Sequence, residues 1–256
     1  MKKHEFTEEQ IQKIKEDYYN RKPWSIIAKE LGLATDKAVR RIVKEKNFVQ
    51  CENVYEKNIH IFDVIDTADK AYWLGFINGD GYVNKKFLSI KLARRDRDHL
   101  EKFADFMNMN RDTIKDSMGT YNNPISYIYV SSAYFIDKLH QIGISAGKSD
   151  KEHVPANLPY KFIRDYLRGL FDADGCILKN RIDLSGSLEN INFMQTYYHI
   201  KYNIEKPTIH FRGNVHRAFY RKKKSRKLIL YDLYYPSVNT YLTRKYKLAQ
   251  EVINNL

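Results

Sequence analysis

Cysteine is scarce in this 256-residue sequence: only Cys51 and Cys176 are present. Two thiols are too few for a disulfide framework or a structural zinc site. No apolar run approaches the roughly 20 residues of a membrane-spanning helix, and the opening MKKHEF lacks the apolar stretch of a signal peptide. These absences lead us to expect a soluble, cytoplasmic protein with no membrane partner. The 8 histidines show no metal-ligand spacing, and neither an HNH motif nor a nucleotide-binding loop is apparent.

What is present is basic. Hydrophobic residues make up 43% and charged residues 29%, enough apolar surface for a sizeable core and too much for wholesale disorder. The net charge of +13 favours a polyanionic partner, because Lys and Arg that neutralise phosphates release condensed counterions. Residues 1–50 carry 12 basic and 8 acidic side chains, and residues 151–256 carry 19 and 9, so the excess sits at both ends of the chain. Residues 51–66, with 1 basic and 4 acidic side chains, separate the first segment from the rest.

Residues 1–48 read as three short helices in a small domain, followed by a linker over 49–66. Thr7 and Gln10 fit a capping box, after which Ile11, Ile14 and Tyr18 recur at helical spacing. Pro23 opens a second helix, where Ile26, Ile27 and Leu31 form an apolar stripe around Ala28, and Gly32 supplies a tight turn. A third helix starts near Thr35, with Val39, Ile42 and Val43 inward and Lys37, Arg40, Arg41 and Lys44 outward. A small residue, a glycine turn and a basic following helix resemble a helix-turn-helix DNA reader, with Lys37, Arg40 and Arg41 as candidate contacts. The alternative is a plain helical bundle with a solvated basic face.

The remainder contains an internal repeat. AYWLGFINGDG at 71–81 and DYLRGLFDADG at 165–175 are both apolar helical runs that stop at Asp-Gly. Strand-like segments follow, FLSIKLAR at 87–94 and GCILKNRIDLS at 175–185. Each copy then offers an amphipathic helix, with Leu100, Phe103 and Phe106 in one and Ile191, Met194 and Tyr198 in the other. Further strand-like sequence, YIYVSS at 127–132 and LILYDLYY at 228–235, precedes closing helices near 133–142 and 238–254. The expected class is α+β: helix, two strands, helix, two strands, helix, over 67–150 and again over 151–256. Short turns between strands imply antiparallel pairing.

Gly75 and Gly79 fall four apart on one helical face, as do Gly169 and Ala173, so two helix backbones can approach closely about a pseudo-twofold axis. Gly81 and Gly175 are expected to end these helices in the left-handed conformation. Asp80 and Asp174 then sit side by side at two helix C-termini, facing the negative ends of two dipoles and each other. Each effect costs about 0.3–1 kcal/mol when exposed. Divalent cations reverse both, activate water and stabilise the leaving oxygen of a phosphodiester. Mg²⁺ suits such a site, because it accepts a few carboxylates and keeps several waters. One Asp-Gly after a helix is ordinarily a turn, but here two end matching helices.

LRGLFDADG at 167–175 matches the LAGLIDADG signature at seven of nine positions. WLGFINGDG at 73–81 matches at four, Gly75, Ile77, Asp80 and Gly81. The chain thereby resembles a single-chain, two-motif LAGLIDADG homing endonuclease over about 67–256, with a helix-turn-helix in front. The resemblance implies two pseudo-symmetric αββαββα halves with antiparallel sheets, the motif helices forming the central interface and the curved sheets facing the DNA major groove. It implies metal held by Asp80 and Asp174 beside Gly79 and Ala173, roughly two or three Mg²⁺ ions with Mn²⁺ as a substitute. It also implies a lysine of each half near the active site, which falls here on Lys148 and Lys245, 68 and 71 residues past their aspartates. A lysine there would polarise the scissile phosphate or the attacking water. At the sixth motif position, usually structural, Asn78 departs from the acid that Asp172 keeps.

Candidate DNA contacts are Lys91 and Arg94, late in a strand of the first half, and a cationic stretch over 211–227. There Arg212, Arg217, Arg221, Lys223 and Arg226 interleave with Phe211, Phe219 and Tyr220. Strand-like sequence around KKKSR suggests a hairpin tip whose charges meet phosphates, setting affinity and register rather than sequence choice. The expected activity is a metal-dependent double-strand break in DNA at one long target, made by a monomer whose unlike halves need no palindrome. The same fold supports two alternatives, a non-cutting DNA-binding regulator and an RNA maturase. With the ends Met-Lys and Asn-Asn-Leu and no splicing chemistry beside them, no intein is expected.

Overall fold

The computed structural model describes residues 5–19, 22, 24–46, 48, 57–144, 153–213, 215–235 and 237–255, in two units, Met1–Glu56 and Lys57–Leu256. In the first unit α1 (Glu8–Tyr19), α2 (Trp24–Glu30) and α3 (Lys37–Glu45) enclose Ile14, Ile27, Ala28, Val39, Ile42 and Val43. The capping box forms: the Thr7 N–H donates to Gln10 Oε1 (3.0 Å) and the Gln10 N–H to Thr7 Oγ1 (3.2 Å). Gly32 turns the chain after α2 at φ +69°, where a side chain is disfavoured. Ile26 does not join the apolar stripe expected of it. It is 44% exposed, because α2 has only 7 residues and buries the edge that carries Ile27 and Ala28.

The second unit runs through one topology twice. α4 (Ala68–Asp80) leads into β1 (Gly81–Val83), β2 (Leu88–Ala93), α5 (Arg97–Phe106), β3 (Lys115–Met118), β4 (Pro124–Val130) and α6 (Ala133–Ile142). α7 (Ile163–Asp174) leads into β5 (Gly175–Leu178), β6 (Arg181–Gly186), α8 (Leu188–Tyr202), β7 (Ile209–Arg212), β8 (Val215–Tyr220) and α9 (Lys223–Tyr234), after which α10 (Thr243–Asn254) is added. Each half forms a four-stranded antiparallel sheet, ordered β1-β2-β4-β3 and β5-β6-β8-β7. Register repeats as well, Gly81 opposing Ile90 as Gly175 opposes Leu184. On one face Leu88, Ile90 and Leu92 alternate into the core with Ile128 and Val130, under α5. Ile182, Leu184 and Ala218 do the same under α8.

α4 and α7 form the centre. A Cβ at Gly75 would lie 2.0 Å from the Tyr166 carbonyl oxygen, and one at Gly169 would lie 1.9 Å from that of Tyr72. Only hydrogen fits at either position, so the helices touch backbone to backbone, as the four-residue spacing of small residues requires.

Several local expectations fail. Gly81 and Gly175 are extended, at φ −70° and −80°, not left-handed. Each helix runs straight into a strand, and glycine is needed for space, since a Cβ would meet Ile77 O at 2.5 Å or Phe171 O at 2.4 Å. LILYDLYY is helical through Tyr234, the end of α9, rather than a strand. Its buried Ile229, Leu230, Leu233 and Tyr234 recur every three to four residues, a stripe that a nearly continuous apolar run conceals. KKKSR therefore enters α9 instead of tipping a hairpin. Arg226 turns inward, 7% exposed, and donates to the Lys179 carbonyl rather than standing open to phosphate. The counterpart of α6 is thus α9, and the helix expected from 238 begins at Thr243 as an extra element. The edge strands β3 (KDSM) and β7 (IHFR) carry too few apolar residues to be legible beforehand.

Candidate active site

α4 and α7 end together, with half-buried Asp80 and Asp174 as their last residues. A Cβ on Gly79 would lie 2.3 Å from Ala173 Cβ and 2.9 Å from Asp174 Oδ2, so the Asp174 carboxylate rests against the residue that precedes Asp80. Asp80, Asp174, Gly79 and Ala173 are therefore in one place. Among the described residues no group of three or more His, Cys, Asp or Glu side chains gathers to hold a metal. Two carboxylates flanked by main-chain oxygens form an all-oxygen donor set that fits Mg²⁺, which takes few protein ligands and retains waters. The same set lacks the nitrogen and sulfur donors of a structural zinc site.

Lys245 lies in the first turn of α10, 5% exposed. Its Nζ donates to the carbonyls of Phe171 (2.8 Å), Asp172 (2.7 Å) and Ala173 (3.3 Å), in the last turn of α7. Burial pushes the ammonium pKa down, and the nearby charges of Asp172, Asp80 and Asp174 resist that shift. Lys148, expected to play the matching role in the first half, lies outside the described residues.

Beneath the acids two hydrogen-bonded chains cross the helix seam. In one, Tyr72 of α4 donates to Asp172 Oδ2 of α7 (2.8 Å), and its oxygen also meets His99 Nε2 of α5 (3.0 Å). In the other, Asn78 of α4 donates to the Tyr166 oxygen of α7 (2.5 Å), and Tyr166 donates to Asn190 Oδ1 of α8 (3.2 Å). Tyr72 and Tyr166 occupy the same place in the repeat, as do Asn78 and Asp172. One chain thus carries a carboxyl and an imidazole where the other carries two carboxamides. Burial drives His99 down to about 3, reinforced by Lys102 and Lys245, so its imidazole is neutral near pH 7. Burial raises the Asp172 pKa, against the pull of Lys245 and of donors from Tyr234 (2.7 Å), the Leu242 N–H (2.7 Å) and Tyr72.

Arg168 was not singled out by sequence, and it is 1% exposed. It pairs with Asp165 (2.8 Å) and donates to the Thr240 carbonyl (2.8 Å), fastening α7 to the segment before α10. The available signal was a charged pair three residues apart, Asp165 and Arg168, which must be mutually satisfied if buried.

No family model matches the chain. The replication factor C small subunit of Methanocaldococcus jannaschii is 29% identical over 116 residues, 45% of this chain and 6% of that one. Full-length DUF199/WhiA from Thermatoga maritima superposes with a TM-score of 0.51 at 12% identity, over 77% of this chain and 64% of its own. The chain has the LAGLIDADG fold. The LAGLIDADG meganuclease I-AabMI, solved bound to uncleaved DNA, superposes with a TM-score of 0.46 at 16% identity, over 72% of this chain and 88% of its own. This chain spans less than two thirds of the length of the replication factor subunit and of WhiA.

The cationic candidates are spread around the LAGLIDADG fold and the helical unit before it. On α3, Lys37 and Arg40 are exposed and Arg41 half-buried, and Arg40 forks onto Asp36 (3.0 and 2.9 Å) while lying over the Trp24 ring. Lys91 is exposed on β2, level with Tyr127 and Lys115. Arg94 has left the strand for a 3-10 turn over Arg94–Asp96, 3.9 Å from Asp116. Arg217 of β8 donates to Ser185 Oγ (2.7 Å), Arg221 lies over the Phe219 ring, and Lys223 is exposed at the start of α9. Arg212 closes β7, with its side chain outside the described residues. By register the outer face of the first sheet presents Tyr82, Tyr129, Tyr127, Lys91 and Lys115, and that of the second Phe219, Ser185, Arg217 and His210, with Asp183 buried and paired with Arg181.

Proposed function

We propose that this chain is a site-specific DNA endonuclease that hydrolyses one phosphodiester in each strand of a long duplex target, with Mg²⁺ bound. The observation that carries the reading is the meeting of Asp80 and Asp174 at the ends of two helices packed through Gly75 and Gly169. Carboxylates at two helix C-termini, close to one another, oppose the helix dipoles and each other, and a divalent cation between them relieves both. The +13 charge supplies affinity for a polyanion.

Asp80 and Asp174, with the main-chain oxygens of Gly79 and Ala173 beside them, would hold Mg²⁺ or Mn²⁺, which supplies Lewis acidity and an activated water. The chain's own share is placement. The glycine seam fixes the spacing of the acids, Asp172 and Lys245 secure the end of α7, and the two outer sheet faces offer unlike side chains to the two halves of a target. Both acids belong to one polypeptide, so a monomer acting on a non-palindromic site suffices. The unit of α1, α2 and α3 would act as a helix-turn-helix, using Lys37, Arg40 and Arg41 to extend the footprint.

DNA binding without cleavage is the second reading, because the +13 charge accounts for affinity to a duplex with no chemistry at the two aspartates. Incubation with a randomised duplex library in Mg²⁺, followed by sequencing of both cut ends and bound fragments, separates the readings. The endonuclease reading expects recovered ends that define one long, asymmetric motif. Enrichment of a motif without cut ends would replace it with the binding-only reading.

A further inference from the structure

We propose that Lys245 is a positioning residue that fixes the Asp174 end of the site by capping α7, and that it does not touch the scissile phosphate. The proposal rests on the endonuclease reading. An ammonium has three N–H donors, and those of Lys245 are spent on three consecutive carbonyls, Phe171, Asp172 and Ala173, at 2.8, 2.7 and 3.3 Å. These lie in the last turn of α7, where the helix runs short of its own donors and its dipole is negative. A fixed positive charge there offsets both the dipole and the Asp174 carboxylate. Reaching a phosphate would mean breaking one of the three bonds and leaving a nearly buried site.

The lysine is itself held from the other half of the molecule. The neighbouring Thr243 donates to Asp98 (2.6 Å) and accepts from Lys102 (3.0 Å), and Arg244 forks onto Asp96 (3.2 Å). Those partners belong to α5 and the turn before it, in the first half. The first turn of α10 therefore straps first-half scaffold to the second-half acid, and the strap acts on Asp174 through main-chain carbonyls. The charge of Lys245 reaches both acids, but its hydrogen bonds hold only the Asp174 end, so with each acid serving one strand the loss of the cap should fall more heavily on one DNA strand.

The test compares wild type with Lys245→Met, which keeps the stem without donors, and Lys245→Gln, which restores two donors without charge. Thermal unfolding first establishes that each variant folds, and the Gln variant serves alone if Met does not. Two measurements follow: Mn²⁺ affinity by electron paramagnetic resonance, and single-turnover cleavage across Mg²⁺ concentrations with each strand labelled separately. In Lys245→Met the Mg²⁺ midpoint for one strand should rise about tenfold to a hundredfold, the range seen when a group supporting a metal ligand is lost. The other strand's midpoint should shift less, the rate at saturating Mg²⁺ should return near wild type, and Gln should recover part of the shift. An unchanged midpoint with a rate that stays low at saturation would assign Lys245 to the phosphate and overturn the proposal. So would equal effects on both strands. If wild type cuts neither strand, the endonuclease reading fails, and Mn²⁺ decides the cap: a loss of affinity matching that of Asp174→Asn supports it, and no change refutes it.

Discussion

Along the central seam, α4 carries Leu74 and Asn78 where α7 carries Arg168 and Asp172 at the matching places. The glycines do not differ: Gly75 and Gly169 meet the opposing backbone at 2.0 and 1.9 Å from where a Cβ would stand. The contrast separates two kinds of constraint. A backbone contact is shared by both helices, so the two halves must satisfy it alike. A buried polar group needs only a partner, and the partner can be anything that completes its hydrogen bonds. Asn78 of the first half is met by a tyrosine and a carboxamide, Tyr166 and Asn190, both of the second half. On α7 the buried groups are a carboxyl and a guanidinium, capped by an ammonium, all tied to the segment around α10, which has no counterpart among the described residues of the first half. The halves are thus alike in geometry and unlike in electrostatics.

The strongest test of the likeness is at the glycines. Gly75→Val and Gly169→Val should each cost more than about 4 kcal/mol, enough to leave little folded protein, as read by thermal denaturation. Tolerance of either would show that the seam is not a shared contact. The unlikeness is tested next. Asp172→Asn, which strands the Lys245 charge, should cost about 3 kcal/mol in urea unfolding. Asn78→Ala, which removes neutral hydrogen bonds, should cost about 1–2 kcal/mol. The reverse order would break the electrostatic contrast.

The last contrast concerns pH. His99 titrates at about 3 in the folded chain against 6.5 unfolded, so its contribution is complete above pH 6.5 and is lost as pH falls toward 3. At pH 5.5 the loss is about 1.4 kcal/mol. His99→Asn, which gives the first half the residue found at Asn190, should flatten stability between pH 6.5 and 4.5. A slope equal to that of wild type would remove His99 from the account.

Much of this was legible beforehand. The two Asp-Gly endings and the small residues four apart gave the crossing and the pairing of acids, because each is a local pattern with one steric solution. α9 was not, because LILYDLYY is apolar at nearly every position and hides its period. Arg226 is hidden with it, since a run of cations looks like a solvated tip until the helix turns one of them inward. The Tyr72 and Tyr166 chains could not be read at all: their partners lie 100 and 88 residues away in sequence, Asp172 and Asn78, and only the seam brings them together.

Strand-resolved cleavage by Asp80→Asn and Asp174→Asn, on the target recovered from the library, tests the central claim most directly. If each acid serves one strand, both variants bind that duplex as wild type does and make no double-strand break. Full double-strand cutting by either variant would contradict it.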